Sequence, residues 1–553
     1  MHRFAVLTLA AVLSFAGAAQ AADPIMPLSD VRPGMVCTAL SVVHGTEISS
    51  FNAEVLDVIA DDPASGGARL LVRVSGPAVD ATGVGPGFSG SPIICDGRYA
   101  GAISEGIGDY GNKVVLATPI EAILGARPST AATARRAPGL LRAARPLDGP
   151  LTVSGLSART RDLLLKAAAR VHRAVLAAPP GPVGSYPPQQ LVPGAAVAAS
   201  VSSGDISVGA VGTVAYRDGD QLFAFGHSLD GLGRRALFMQ DAYVFGVIAN
   251  PIAVPDLGAM TYKLTSSGGH VLGAVTNDTF SAIAGNVGAG PASIPLRATA
   301  RLRGSAQRVT LDSSLADERQ LDLGAGLSLV APLAASTALD RLLGSIEPVS
   351  VTACTRFRVR ELRKPIGFCN PYFDGFTPLS DVAEAGTMVD AFDLAPLHIR
   401  GSAVSMDVTR GVVDEVVVGA RAPSHARAGT TISVRVELRR RGGGSRSLTV
   451  KVPIPAGVRP GDRTLVIEGN GFADENNDIL IELGAGLTGG GVHSAAAEPR
   501  TPKQLARTVA ALHRPLGIAA HFRHREPRVV LRSGDVRFDG RAKVRLQVGP
   551  ARR

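Results

Sequence analysis

Gly87-Phe88-Ser89-Gly90-Ser91-Pro92, continued by Ile93-Ile94-Cys95-Asp96-Gly97-Arg98-Tyr99-Ala100-Gly101-Ala102-Ile103-Ser104-Glu105-Gly106, is the stretch on which the reading of this chain turns. Glycines at 87 and 90 open backbone conformations closed to residues with a Cβ, so the Ser89 hydroxyl is presented on a tight turn. The amides of Gly87 and Ser89 can then point at one spot and form an oxyanion hole. The residues that follow are apolar to Ile94, turn at Asp96-Gly97 and are apolar again to Ile103, which is the pattern of a β-hairpin.

Working outward, Met35 to His44, Phe51 to Ala60, Ala68 to Ser75 and Lys113 to Ala117 are apolar-rich runs between turn formers and read as strands. With the hairpin they supply about six strands, enough for a small closed barrel over residues 27–127, and Pro119 to Leu124 reads as a short closing helix. Residues 128–194 change to Ala, Arg and Pro and read as a linker. It holds an amphipathic helix within Leu156 to Ala177 and an extended connector at Pro179-Pro180-Gly181-Pro182 and Pro187-Pro188. From Ala195 strands resume. Gly209 to Tyr216 turns at Asp218-Gly219 and returns as Gln221-Leu222-Phe223-Ala224-Phe225-Gly226-His227, an apolar strand ending on a histidine, so residues 195–374 read as a second, histidine-bearing barrel. After a connector at 375–396, alternating strands at Thr430 to Arg439, Ser447 to Pro453 and Arg463 to Glu468 suggest an immunoglobulin-like β-sandwich over 397–490. Thr501 to His513 reads as a helix and Arg528 to Val548 as final strands of a small basic α/β region, 491–553.

Composition agrees with a β-dominated chain of several domains: 553 residues, 45% hydrophobic, 64 Gly, 37 Pro and no Trp. Met1-His2-Arg3, the apolar run Phe4 to Phe15 and Ala19-Gln20-Ala21 have the three regions of a secretory signal, with cleavage expected after Ala21. No other charge-free apolar stretch reaches the roughly 18 residues of a span. Four cysteines in an exported chain read as two disulfides, because no Cys-x-x-Cys or nearby histidine pair completes a metal site, and no cofactor is expected. Four cysteines allow three connectivities. Cys37 with Cys95 and Cys354 with Cys369 is preferred because each pair then lies within one domain. The formal net charge of +10 is uneven: from residue 421 onward there are 24 Lys+Arg against 11 Asp+Glu, so this segment is the place for an anionic envelope component, peptidoglycan or lipid, and no nucleic-acid partner is expected.

The run from Gly87 to Gly106 resembles the nucleophile loop and following hairpin of chymotrypsin-like serine peptidases, and within them the SpoIVB-type sporulation peptidases and their secreted bacterial relatives. The likeness takes in Asp80-Ala81-Thr82-Gly83-Val84, Gly108-Asp109-Tyr110-Gly111 and Ala117-Thr118-Pro119-Ile120-Glu121. Gly212-Thr213-Val214 through Phe225-Gly226-His227 resembles that family's Gly-His segment. The resemblance implies two chymotrypsin-like β-barrels in rearranged order, with the serine barrel preceding the histidine barrel. It also implies an exported, possibly self-processing serine endopeptidase acting on protein or peptide substrates, with Ser89 as nucleophile, His227 as base and the amides of Gly87 and Ser89 as oxyanion donors. Chain order is no objection, since triads are defined by geometry. By analogy with such barrels Asp278 is the expected partner of the imidazole. Asp230 lies on a turn, Asp80 reads as a turn residue ahead of Gly83, and the aspartate the family carries ahead of its serine is Val74 here. The PDZ module that accompanies the sporulation peptidases is not found. The acidic run Asp474-Glu475-Asn476-Asn477-Asp478 lacks the glycine and distal glutamate of a calcium loop. The basic strip His521, Arg523, His524 and Arg525 reads as a solvated strand edge. The alternative to an enzyme is a non-catalytic envelope scaffold or binding protein built on a peptidase fold.

Overall fold

Period-two burial, with Cys37 and Ala39 inward and Val36 and Thr38 less so, makes the first strands half-buried walls of a barrel. The computed structural model describes residues 23–60, 67–108, 110–129, 135, 137, 139, 144–147, 149–179, 186–254, 258–266, 268–321, 323–373, 379–470, 479–488, 498–522, 528–532 and 534–551. The predicted signal segment, the acidic run 474–478 and residues 523–525 of the basic strip lie outside them. Strands β1 (Val36–His44), β2 (Glu47–Ile59), β3 (Arg69–Ser75), β4 (Pro92–Cys95), β5 (Arg98–Gly106) and β6 (Val114–Pro119) pair in the ring β1-β2-β3-β6-β5-β4, which closes between β4 and β1. Phe51, Leu70, Val72, Phe88, Ile93 and Ile103 fill it, and the Cys37–Cys95 disulfide ties the closing strands.

The linker expected at 128–194 is partly core. Its strands β7 (Arg145–Pro146), β8 (Leu151–Ser154) and β9 (Val175–Ala178) are short, but β8 pairs with the second barrel and β9 runs parallel to β8. The helix between them covers Ala158–Arg170, capped by Ser157, and stops before residue 177 because Val175–Ala178 are taken up as a strand. Val153, Leu164, Ala167 and Val175 are buried in the largest cluster of the molecule, which an Ala-rich and Pro-rich composition does not reveal.

The second ring consists of β10 (Ala196–Gly204), β11 (Ser207–Asp218), β12 (Gln221–Ala224), β13 (Gly233–Asp241), β16 (Val271–Asp278) and β17 (Ile283–Val287), paired in the order β10-β13-β16-β17-β12-β11 and closed between β11 and β10. Between β13 and β16 a long hairpin, β14 (Val244–Val254) and β15 (Gly258–Thr265), leaves the ring. The end of β10 pairs with β19 (Arg308–Ala316), and the sheet continues through β18 (Ser293–Leu302), β22 (Ile399–Arg410), β20 (Val349–Val359) and β21 (Ile366–Tyr372). The Cys354–Cys369 disulfide joins β20 and β21 at paired positions. Helices Leu327–Leu343 and Leu379–Asp390 cover this extension.

Two sequence boundaries shift. Residues 399–410, expected to begin the C-terminal sandwich, lie parallel to β18 and antiparallel to β20. The split at 490 also disappears. Strands β23 (Val413–Arg421), β24 (His425–Arg427), β25 (Thr431–Arg440), β26 (Ser445–Pro453), β27 (Gly461–Gly469), β28 (Gly517–Phe522), β29 (Arg528–Arg532) and β30 (Val536–Gly549) form one sheet about a single core of Val434, Val436, Ile467, Ile518 and Val548. Strand β30 pairs with β23 up to and including Gly540 and with β27 from Arg541 on, so the sheet turns over its own core in a sandwich-like fold. No described helix is long and apolar enough to cross a membrane, and the two disulfides suit an oxidising compartment.

The barrels meet backbone to backbone. The Thr213 amide of the second barrel donates to the Ser89 carbonyl at 2.8 Å, and the Thr118 hydroxyl of the first donates to the Gly226 carbonyl at 2.7 Å. A Cβ on Gly90, which sits at φ +90°, would lie 2.0 Å from the Thr213 carbonyl oxygen and 2.6 Å from the Phe225 nitrogen. Gly97 also has positive φ, but a Cβ there meets nothing within 4 Å. Gly90→Ala is therefore expected to lower unfolding stability by about 3 kcal/mol or more, and Gly97→Ala by about 1 kcal/mol, measured as denaturant midpoints. Equal losses would remove the docking role from Gly90.

Candidate active site

Ser89 and His227 come from different barrels and line one cavity of about 250 Å³, together with Phe225, Leu229, Val211 and Met260. Ser89 is 1% exposed and His227 5%. The serine stands on the turn ahead of β4. The histidine follows Phe225 and Gly226, both at φ +70°. For a phenylalanine this is a strained conformation, held here by the hydrogen bond its N–H donates to the Thr213 carbonyl and by its ring lying where any side chain on Gly212 would go.

The oxyanion donors follow from peptide planarity. Among the described residues no peptide bond is cis, so each N–H points opposite to the carbonyl of its own peptide unit. The Pro86 carbonyl, which shares its peptide with the Gly87 amide, accepts from the Lys263 amide at 2.9 Å. The Phe88 carbonyl, which shares its peptide with the Ser89 amide, accepts from the Ser91 amide at 2.9 Å and the Ser91 hydroxyl at 2.6 Å. Both carbonyls are pinned to the protein side, which turns both amides away from it. Among the described residues neither amide donates to a protein acceptor. Gly87 has φ +93°, and a Cβ there would press on the Lys263 side chain at 2.9 Å.

At the histidine, Nδ1 lies 2.7 Å from the Ser228 carbonyl. A carbonyl cannot donate, so the neutral imidazole carries its hydrogen on Nδ1 and its lone pair on Nε2. Asp278, expected to hold the ring, has a different place. One carboxylate oxygen accepts from the Leu229 amide at 2.7 Å, and the other from the Asp230 and Gly231 amides, both at 2.8 Å. Asp278 fixes the turn after His227 rather than the imidazole. Arg235 stands 3.9 Å from it, bonds Asp230 at 3.1 Å and forms a buried two-pronged pair with Glu318. Asp80 is a turn residue that accepts from the Gly76 amide.

The sequence reading missed a buried chain of hydroxyls beneath the loop. Lys263, on β15, donates to the Ser41 hydroxyl at 2.6 Å and to Thr213 at 3.2 Å, and stands 4.4 Å from the centre of the Phe88 ring. Thr213 passes a hydrogen bond to the Gly87 carbonyl, and Ser41 lies 3.0 Å from Ser91, which holds the Phe88 carbonyl. The only signal in the sequence was a lysine in an apolar alternating strand, which looks like any solvated residue. Burial lowers the Lys263 amine to about 7.

An unfolded lysine titrates near 10.4, so between about pH 7 and that value the unfolded chain binds the extra proton and stability rises with pH. The whole window corresponds to about 5 kcal/mol. The urea midpoint of the wild type should climb from pH 7 to 9.5, and that of Lys263→Met should stay nearly flat. Parallel curves would mean that Lys263 is charged in the fold. No protein-family model, curated protein or solved structure matches this chain.

Proposed function

We propose that this chain is an exported serine endopeptidase of the kind its serine loop resembles. The observation that carries the reading is the convergence of Ser89 and His227, from separate barrels, on one cavity. Ser89 Oγ attacks the scissile carbonyl carbon and its proton passes to His227 Nε2. The carbonyl oxygen becomes an oxyanion held by the Gly87 and Ser89 amides. The imidazolium then returns the proton to the leaving amine and the C–N bond breaks; water, giving a proton to Nε2, attacks the acyl-serine, and Nε2 passes that proton to Ser89 Oγ as the acyl C–O bond breaks. Asp278 acts at one remove, by setting the turn whose Ser228 carbonyl fixes the tautomer. In this reading the basic sheet from residue 421 onward contacts an anionic envelope component.

A second reading, a non-catalytic scaffold, is favoured by one fact: the Asp278 carboxylate is committed to three amides, and the imidazolium would be steadied by a carbonyl. A fluorophosphonate probe decides between them. Wild type should label at Ser89, Ser89→Ala should not, and His227→Ala should label at least about 100-fold more slowly. Absence of labelling in the wild type, or equal labelling of Ser89→Ala, would leave the scaffold.

A further inference from the structure

We infer that Arg145–Leu147 is a built-in occupant of the peptide groove of this site, and that the groove takes extended peptides with leucine or a similar apolar side chain ahead of the bond to be cut. The substrate class rests on the serine-peptidase reading; the occupancy of the groove does not.

Strand β7 is two residues long and lies antiparallel on the end of β5, Pro146 opposite Glu105 and Arg145 opposite Gly106. It is the terminal strand of its sheet. The next residue continues the pattern, the Leu147 amide donating to the Ser104 carbonyl at 2.8 Å. A short extended segment laid along a sheet edge, held by main-chain bonds while alternate side chains find pockets, is the way sheets bind peptides. Arg145 and Pro146 are exposed, whereas Leu147 is 4% exposed and packs into the first barrel's core. A Cβ on Gly106 would come 3.1 Å from its Cδ2 atom, so a bare glycine at 106 makes room for the leucine. The chain then supplies Gly149 and Pro150 to the cavity that holds Ser89 and His227. One edge of β5 cannot pair with two strands at once, so a substrate following the same path must displace this segment.

The full-length chain carrying Leu147→Gly is titrated with a fluorescein-labelled pentapeptide copy of residues 143–147, read by anisotropy. Binding at least about tenfold tighter than to the wild type is expected, because the intramolecular competitor is weakened. Copies with aspartate or lysine in place of the leucine should bind at least about tenfold more weakly than the leucine copy. Equal weak binding to both proteins overturns the occupancy, and indifference to the last residue overturns the pocket. Should the variant fail to fold, amide exchange on the wild type answers the same question. Saturating peptide should strip protection from the Leu147 amide, and protection unchanged at saturation overturns the proposal. Peptide binding without Ser89 labelling in the variant would keep the occupancy and sink the peptidase; labelling without peptide binding would do the reverse.

Discussion

The site depends on two backbones approaching closer than any side chain allows. Gly90 rests against the Thr213 carbonyl and Phe225 amide, and Gly212 leaves room for the Phe225 ring, so the turn that carries Ser89 and the strand that leads to His227 touch main chain to main chain. On the proposed reading Ser89 and His227 must meet to within an ångström or so, and flexible side chains at a domain interface would not hold that tolerance. Peptide groups do, because their donors and acceptors have fixed directions. The strain at Phe225 is part of the same constraint: its unfavourable φ turns the chain so that His227 faces the first barrel.

The hairpin of β14 and β15 is the second tie, and it explains a buried lysine. It leaves the histidine barrel, exchanges backbone bonds between Val244 and Gly45, and seats Thr261 against Thr82 and Lys263 against Pro86. Among the described residues no carboxylate pairs with this amine, which makes it costly in such a place, and its lowered affinity for a proton comes from desolvation. What it supplies is direction. Its Nζ donates to the Ser41 and Thr213 hydroxyls, and Thr213 passes its own hydrogen on to the Gly87 carbonyl of the loop. A methionine of the same length fills the space but leaves the hydroxyls free to reverse.

How much of this could be read in the sequence follows the range of the interactions. The serine turn and its hairpin are local, set by Gly87, Gly90, Pro92 and Asp96-Gly97, and they are legible. So are two barrels of alternating strands and a strand leading to His227, although that strand stops at Ala224 and Phe225 and Gly226 turn at positive φ before the histidine. Asp278 was placed near the histidine and does lie near it, but whether a carboxylate meets a ring or three amides is decided by a few ångströms of tertiary geometry. Lys263 and Ser41 are 222 residues apart, and neither carries a local sign of the other. The linker misled for a related reason. Leu151–Ser154 and Val175–Ala178 are too short to announce themselves and become strands only because β11 offers an edge. The C-terminal boundary moved because Ile399–Arg410, which alternates like its neighbours downstream, finds β18 and β20 on either side.

The segment that returns from the first barrel toward the second gives this arrangement a further consequence. A chain that connects two lobes of a cleft must cross the cleft or go around it, and here it crosses, laying Arg145–Leu147 along β5 and passing Gly149 and Pro150 by the serine. β6, the last strand of the serine barrel, lies beside β5; Arg135 bridges to Ile59 on β2, and Arg145–Pro146 then lie on the end of β5 ahead of β8. On the proposed peptidase reading such a site is closed at rest, with Ser89 1% exposed, and turnover would wait on two exposed residues and one buried leucine letting go of a sheet edge.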